Sequence, residues 1–186
     1  MDKTTELHKN LIRLHEKLRQ QKEDQWDRIL PFDELLFDRW EKAKYMRAAK
    51  GANLYHNCYI YGDVKIGKDT WIGPYTLLDG TGGLRIGNSC TLSSGVQIYT
   101  HDTVKRTLSG GKLKREIKNV TIKDCCYIGP YSVITKGVTI GQKSIIGAHS
   151  LVNSDVPPQS IVFGIPARVM GKIKIQNNTI NIVYNK

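Results

Sequence analysis

The sequence predicts a mainly β protein: a parallel β-helix, preceded by an α-helical extension and interrupted by one long extruded loop. Three observations carry this prediction. Aliphatic residues recur at every sixth position, small or modest side chains sit two places before them, and glycine often follows them. The aliphatic beat runs Ile60, Ile66, Ile72 and Leu78, slips by two residues, and resumes as Ile86, Leu92 and Ile98. After a break it returns as Ile122, Ile128, Ile134, Ile140, Ile146 and Val152. The preceding phase includes Cys58, Thr70, Thr76, Cys90, Val96, Cys126, Ser132, Ser144 and Ser150, and the following phase Gly67, Gly73, Gly87, Gly129, Gly141 and Gly147. No α-helix repeats at six, and strand alternation alone does not demand glycine at a fixed phase. A hexapeptide repeat does both, because it builds short strands that turn corners at fixed intervals.

The N-terminal extension, residues 1–50, reads as two helices. Residues 3–25 place Leu7, Leu11, Leu14 and Leu18 along one stripe. A second helix is predicted from about Pro31 toward Gly51, with Leu35, Leu36, Trp40 and Ala43 as its buried side. Mixed charges on the opposite faces favour solvent over lipid, so the unit is expected to pack on the first coil or on a neighbouring subunit.

Residues 51–170 form the repeat domain. Three hexapeptides close one triangular coil, so Ile122 should stack on Ile140, Ile128 on Ile146, and Ile134 on Val152. The aliphatic column fills the prism, the small residue fits near the corner, and glycine supplies the permissive backbone at the turn. The two-residue slip falls at Asp79-Gly80-Thr81-Gly82-Gly83 and widens one corner. The break after Ile98 extrudes about eighteen extra residues as a loop over about 99–119, and long loops on rigid scaffolds commonly carry function. Residues 171–186 form a C-terminal tail with weak strand-like alternation, placed to help cover an exposed strand edge.

Composition narrows the function classes. The chain has 186 residues and a formal charge of +11. Residues 1–50 hold 12 basic and 10 acidic side chains, leaving 16 basic and 7 acidic for the rest. Six of those bases, Lys105, Arg106, Lys112, Lys114, Arg115 and Lys118, lie in the extruded loop, either as a solvated basic loop or as an attractor of a polyanionic ligand. No stacking-aromatic motif accompanies them, so nucleic acid is not expected. No apolar run approaches a membrane span and the polar N-terminus has no signal-peptide pattern. Cys58, Cys90 and Cys126 sit in the inward phase and Cys125 is the outlier, which reads as reduced packing residues in a cytoplasmic protein without disulfide or zinc.

The repeat, the loop opening Val96-Gln97-Ile98-Tyr99-Thr100-His101-Asp102 and the terminal run Asn153-Ser154-Asp155-Val156-Pro157-Pro158 through Phe163-Gly164-Ile165-Pro166-Ala167-Arg168-Val169 together resemble the hexapeptide-repeat acyltransferases. The type is that of the sugar O-acetyltransferases similar to galactoside and maltose acetyltransferases. The resemblance implies a left-handed coil, against the usual right-handed crossover, and a homotrimer with acetyl-CoA in a groove between neighbouring prisms. Gly129, Pro130, Gly147 and Ala148 would then line the pantetheine arm. Asn153 and Ser154 would meet the cofactor further out, and Arg168 its phosphates. Gly171 stands at a second position that is sometimes basic, so Lys172 beside it is expected to share the phosphate grip.

By the same resemblance His101 is the general base that takes a proton from the acceptor as it attacks the thioester. Asp79 is expected to hold acceptor hydroxyls, and Tyr99 and Asp102 flank the base on the acceptor side. Asp102 is also a candidate to orient the imidazole. Two departures stand out. Trp71-Ile72-Gly73-Pro74-Tyr75 lacks the acceptor-binding asparagine of the galactoside and maltose enzymes, and Tyr127 replaces a tryptophan common in the family.

The expected reaction is direct transfer of an acetyl group to a hydroxyl of a saccharide or sugar derivative. An N-acetyltransferase acting on a nucleotide-linked amino sugar is the nearest alternative. Serine acetyltransferases carry a large helical domain that is missing here. The γ-type carbonic anhydrases share the β-helix but need three histidine ligands, and His101 lacks companions at ligand spacing, so no metal is expected. A noncatalytic scaffold is the remaining alternative.

Overall fold

A computed structural model describes residues 2–177 and 179–185; residues 178 and 186 of the tail, and residue 1, lie outside the described residues. Three helices lead into the β-helix: α1 (Lys3–Trp26), α2 (Phe32–Leu36) and α3 (Arg39–Tyr45). Where one second helix was expected there are two. The chain is extended at Phe37, and the Asp38 side chain accepts from the backbone N–H groups of Trp40 and Glu41, which starts a new helix. Leu35 and Ala43 are buried as predicted, whereas the break turns Leu36 and Trp40 to the surface. The leucine stripe of α1 is not packed on the first coil. Leu7, Leu11 and Leu14 are exposed, and the helix rests on α2 through an edge contact between His15 and Phe32.

Strands then stack in parallel on three faces. Face 1 holds residues 53–54, 71–72, 91–92, 127–128, 145–146 and 160–164, hydrogen-bonded in that order. Face 2 holds 59–60, 77–78, 97–98, 133–134 and 151–152. Face 3 holds 64–66, 84–86, 120–122 and 139–140. The eighteen-residue stacking is as predicted: Ile122 pairs with Ile140, Ile128 with Ile146 and Ile134 with Val152. The aliphatic column is almost wholly excluded from solvent from Ile72 to Val152, and Cys58, Cys90 and Cys126 pack inside it. Burial of each such side chain is worth about 1.5–3 kcal/mol, which makes the column the source of the fold's stability.

The corner glycines serve a different purpose from the one expected. Left-handed backbone is carried two residues later, by side-chain-bearing residues such as Asp69, Tyr75, Ser89, Tyr131 and His149. Gly67, Gly73, Gly87, Gly129, Gly141 and Gly147 have ordinary φ values. Their constraint is the coil above: a Cβ on Gly129 would lie 2.6 Å from the backbone nitrogen of Ala148, and one on Gly87 2.7 Å from that of Asp124. Successive coils approach too closely at these points for any side chain.

The prism is closed at its start by α3. Ala43 enters the core beside Ala52 and Leu54, and Lys42 Nζ donates to the carbonyls of Tyr55, His56 and Cys58, which have no earlier coil to pair with. At the other end residues 160–164 pair antiparallel with Ala167–Gln176, which pairs with Thr179–Tyr184. This hairpin continues face 1 past the last coil.

Candidate active site

The corner between faces 2 and 3 is where the repeat is disturbed twice, at residues 79–83 and at residues 99–119 of the next coil. The extruded segment is a β-hairpin with one helical turn. His101–Asp102 pairs antiparallel with Glu116–Ile117, and α4 (Val104–Leu108) lies between them. Cross-strand partners share a side of such a ribbon. His101 and Ile117 therefore face one way, and Asp102 and Glu116 the other.

On the first side lies Asp79, 1% exposed, with both carboxylate oxygens engaged. Oδ1 accepts from Thr81 N at 2.9 Å. Oδ2 accepts from Thr100 N at 2.8 Å and Thr100 Oγ1 at 3.1 Å, and lies 2.6 Å from His101 Nδ1. Thr100 Oγ1 in turn accepts from Gly82 N at 2.8 Å. Burial opposes the charge on Asp79, but the hydrogen bonds from Thr81, Thr100 and His101 outweigh it and hold the carboxyl well below the usual carboxylate range. An ionised carboxylate can only accept, so Nδ1 of His101 carries a proton, and in the neutral imidazole the lone pair is then on Nε2. The His101 side chain is 28% exposed, so that lone pair is within reach of a bound molecule.

On the second side Lys136, from the next coil, forms ion pairs with Asp102 Oδ2 and with Glu116 Oε2, the latter at 3.2 Å. Glu116 Oε1 also meets Lys105 Nζ at 2.5 Å. The Lys136 hydrogen bond lowers the Asp102 carboxyl, Lys105 and Lys136 lower Glu116, and the two carboxylates raise the Lys136 amine. The clamp ties both hairpin strands to the prism. Lys136 was not among the expected site residues; it sits in phase with no motif, and only the ribbon's geometry brings it under the loop.

The remaining expected residues are distributed as follows. Asp79, expected to hold acceptor hydroxyls, has both oxygens engaged by Thr81, Thr100 and His101. Asp102 does not orient the imidazole, since it points to Lys136 and also accepts from Val104 N at 3.0 Å. Tyr99 Oη donates to Gln97 Oε1 at 2.7 Å on face 2. Gly129, Pro130, Gly147 and Ala148 occupy the corner between faces 1 and 2, where the rings of Tyr131 and His149 stack at 5.3 Å. Asn153 and Ser154 are exposed on the same corner line as the hairpin, two coils on. Arg168 and Lys172 are exposed on the C-terminal hairpin, and Arg168 donates to the carbonyl of Ala167 at 2.9 Å. One chain thus brings together Asp79, Thr100 and His101, while the residues expected along the pantetheine arm lie across face 2. Among the described residues no three His, Cys, Asp or Glu side chains gather as metal ligands would, and no helix is long and apolar enough to cross a membrane.

Residues 119–154 match the family of the bacterial transferase hexapeptide, six repeats. The chain is 27% identical over 128 residues to galactoside O-acetyltransferase of Escherichia coli, covering 58% of this chain and 63% of that protein. It is 35% identical over 111 residues to serine acetyltransferase of Bacillus subtilis, covering 60% of this chain and 49% of that protein. The chain thus spans about half to three-fifths of the length of these curated relatives. A hexapeptide-repeat acetyltransferase from Vibrio cholerae, solved in complex with acetyl coenzyme A, superposes with a TM-score of 0.58 at 28% identity, covering 89% of this chain and 88% of that one. The chain therefore shares both its repeat and its fold with the hexapeptide-repeat acetyltransferases.

Proposed function

We propose that the protein is an acetyl-CoA-dependent acetyltransferase that acetylates a hydroxyl of a saccharide or sugar derivative by direct transfer, acting as a homotrimer. The observation that carries this reading is the Asp79–His101 pair, with Nε2 left free on an extruded hairpin of an acetyltransferase-like β-helix. Nε2 takes the proton of the acceptor hydroxyl as its oxygen attacks the thioester carbonyl. The buried carboxylate of Asp79 stabilises the imidazolium that forms, and collapse of the tetrahedral intermediate expels CoA thiolate. The thiolate then takes the proton back from Nε2, which restores the base. Gly129, Pro130, Gly147 and Ala148 are assigned to the pantetheine arm, Asn153 and Ser154 to its outer part, and Arg168 with Lys172 to the phosphates.

The test is calorimetric titration with acetyl-CoA together with thioester cleavage in the presence of a panel of saccharides. The expected result is saturable binding near one per subunit. His101→Ala should keep this binding and lose about 10²–10⁴-fold in transfer rate. Arg168→Ala should weaken binding. No binding at millimolar acetyl-CoA, or full activity in His101→Ala, would refute the reading.

A further inference from the structure

We propose that the extruded hairpin carries an anion site for the acceptor: Arg106, Lys114 and Arg115, with Thr103 and Ile117, form a pocket for a phosphate or pyrophosphate group on the molecule that His101 deprotonates. This rests on His101 being the base, and it narrows the acceptor to a phosphorylated or nucleotide-activated sugar.

The first argument is how the loop's cations are sorted. Lys105 is neutralised by Glu116, and Lys136 beneath it by Asp102 and Glu116. Arg106, Lys114 and Arg115 have no ion pair among the described residues, yet all three line one pocket with Thr103 and Ile117. Three unneutralised cations on a shared concavity repel one another, and an anion seated among them removes that cost. Two guanidinium forks and an ammonium suit phosphate oxygens, and the Thr103 hydroxyl adds a donor.

The second argument is direction. Ile117, which lines the pocket, is the cross-strand partner of His101. A Cβ placed on Gly82 would lie 2.7 Å from Ile117 Cγ2, so this side of the hairpin looks toward the coil that holds Asp79. The clamp to Lys136 is on the opposite side. Arg168 and Lys172, the basic residues assigned to the CoA phosphates, lie past the last coil on the C-terminal hairpin, whereas the pocket's hairpin leaves a middle coil. The pocket therefore opens on the side of the base, away from the donor's assigned phosphate grip.

CoA and the acceptor could each supply a pyrophosphate, and the experiment separates them. The full chain is titrated with inorganic pyrophosphate at low salt, alone and with saturating CoA. The titration is repeated on the Arg106→Gln, Lys114→Gln, Arg115→Gln triple variant and on Lys112→Gln, a loop base outside the pocket. Circular dichroism confirms that each variant keeps its fold. The expected result is saturable pyrophosphate binding that is indifferent to CoA, weakened at least about tenfold in the triple variant and unchanged in Lys112→Gln, with CoA affinity unaffected throughout. No saturable binding to the natural chain, or an equal loss in Lys112→Gln, would reduce the cluster to diffuse surface charge. Displacement of pyrophosphate by CoA, with weaker CoA binding in the triple variant, would hand the pocket to the donor. Pyrophosphate binding without any CoA binding would keep the anion site and overturn the acetyltransferase reading that makes it an acceptor site.

Discussion

Asp79 and His101 lie 22 residues apart in the chain and 2.6 Å apart in space, and each explains the other's environment. A carboxylate buried this deeply stays ionised because four hydrogen bonds converge on it, and its charge is then directed at one imidazole nitrogen. Asp79→Asn keeps the shape and leaves an amide oxygen for Thr100 and Nδ1, but removes the negative charge. The imidazolium formed in transfer then loses the carboxylate that stabilises it. The expected outcome is a fall in kcat of about 10²-fold or more, with acetyl-CoA affinity little changed. The same substitution has a pH signature in stability. Because the folded-state pKa of Asp79 is depressed, its contribution is complete above the unfolded value of about 3.9 and is lost as pH falls below it. The stability difference between the natural chain and Asp79→Asn should therefore narrow on acidification through that range, as followed by denaturant melts. A constant difference would show that the carboxylate's charge is not what the site stabilises. The spacing in the sequence brought these residues to neighbouring coils. It did not show which way the aspartate points, because that depends on two extra residues that swing the corner backbone toward Thr100.

At the scale of elements, the hairpin at 99–119 is held to the prism by charge more than by packing: Val104, Leu108, Leu113 and Ile117 are all exposed. Lys136→Met removes the shared cation and leaves Asp102 and Glu116 facing each other across the ribbon. Transfer should fall about tenfold, through misplacement of His101, and cleavage by trypsin within the loop should accelerate, while the melting transition of the β-helix stays in place. Unchanged proteolysis would mean that the backbone pairing alone holds the loop. The pH window follows from the shifts. Asp102 and Glu116 are lowered and Lys136 is raised, so the clamp persists from below the ordinary carboxylate range to above the ordinary lysine range. It loosens only as pH falls through the depressed carboxylates or rises through the raised amine. The length of this loop was legible from the lost beat between Ile98 and Ile122. Its clamp was not, since an ion pair between residues 102 and 136 has no periodic signature. The helical extension shows the same division: α1 followed from its leucine spacing, while the break at Phe37–Asp38 turned on a single capping carboxylate.

For the whole molecule, the repeat made the prism readable almost residue by residue, because a core that stacks at a fixed interval leaves one solution for the inward phase. What it could not show is which surfaces meet. His101 stands at the corner between faces 2 and 3, whereas Gly129 and Gly147 stand at the corner between faces 1 and 2, with the width of face 2 between them. Direct transfer requires base and thioester within a few ångströms of one acceptor, and on the proposed assignments the two lie at different corners of one prism. The proposed homotrimer would bring them together if one copy's hairpin corner meets the next copy's glycine corner, a head-to-tail contact that a three-fold ring closes. Each site would then take its base from one subunit and its donor groove from the next. The prediction is complementation. His101→Ala abolishes the base, and Ala148→Trp, at an exposed position, fills the groove; each variant alone should be nearly inactive. Unfolded together and refolded as a mixture in equal amounts, they should recover about a quarter of the natural activity, because random assembly pairs an intact hairpin with an intact groove at one contact in four. Sedimentation should give three times the 21.0 kDa chain for all species. Activity that stays absent in a mixture of confirmed trimers would place both halves of the site on one subunit, and would require the acetyl group to reach His101 along face 2 of the same prism.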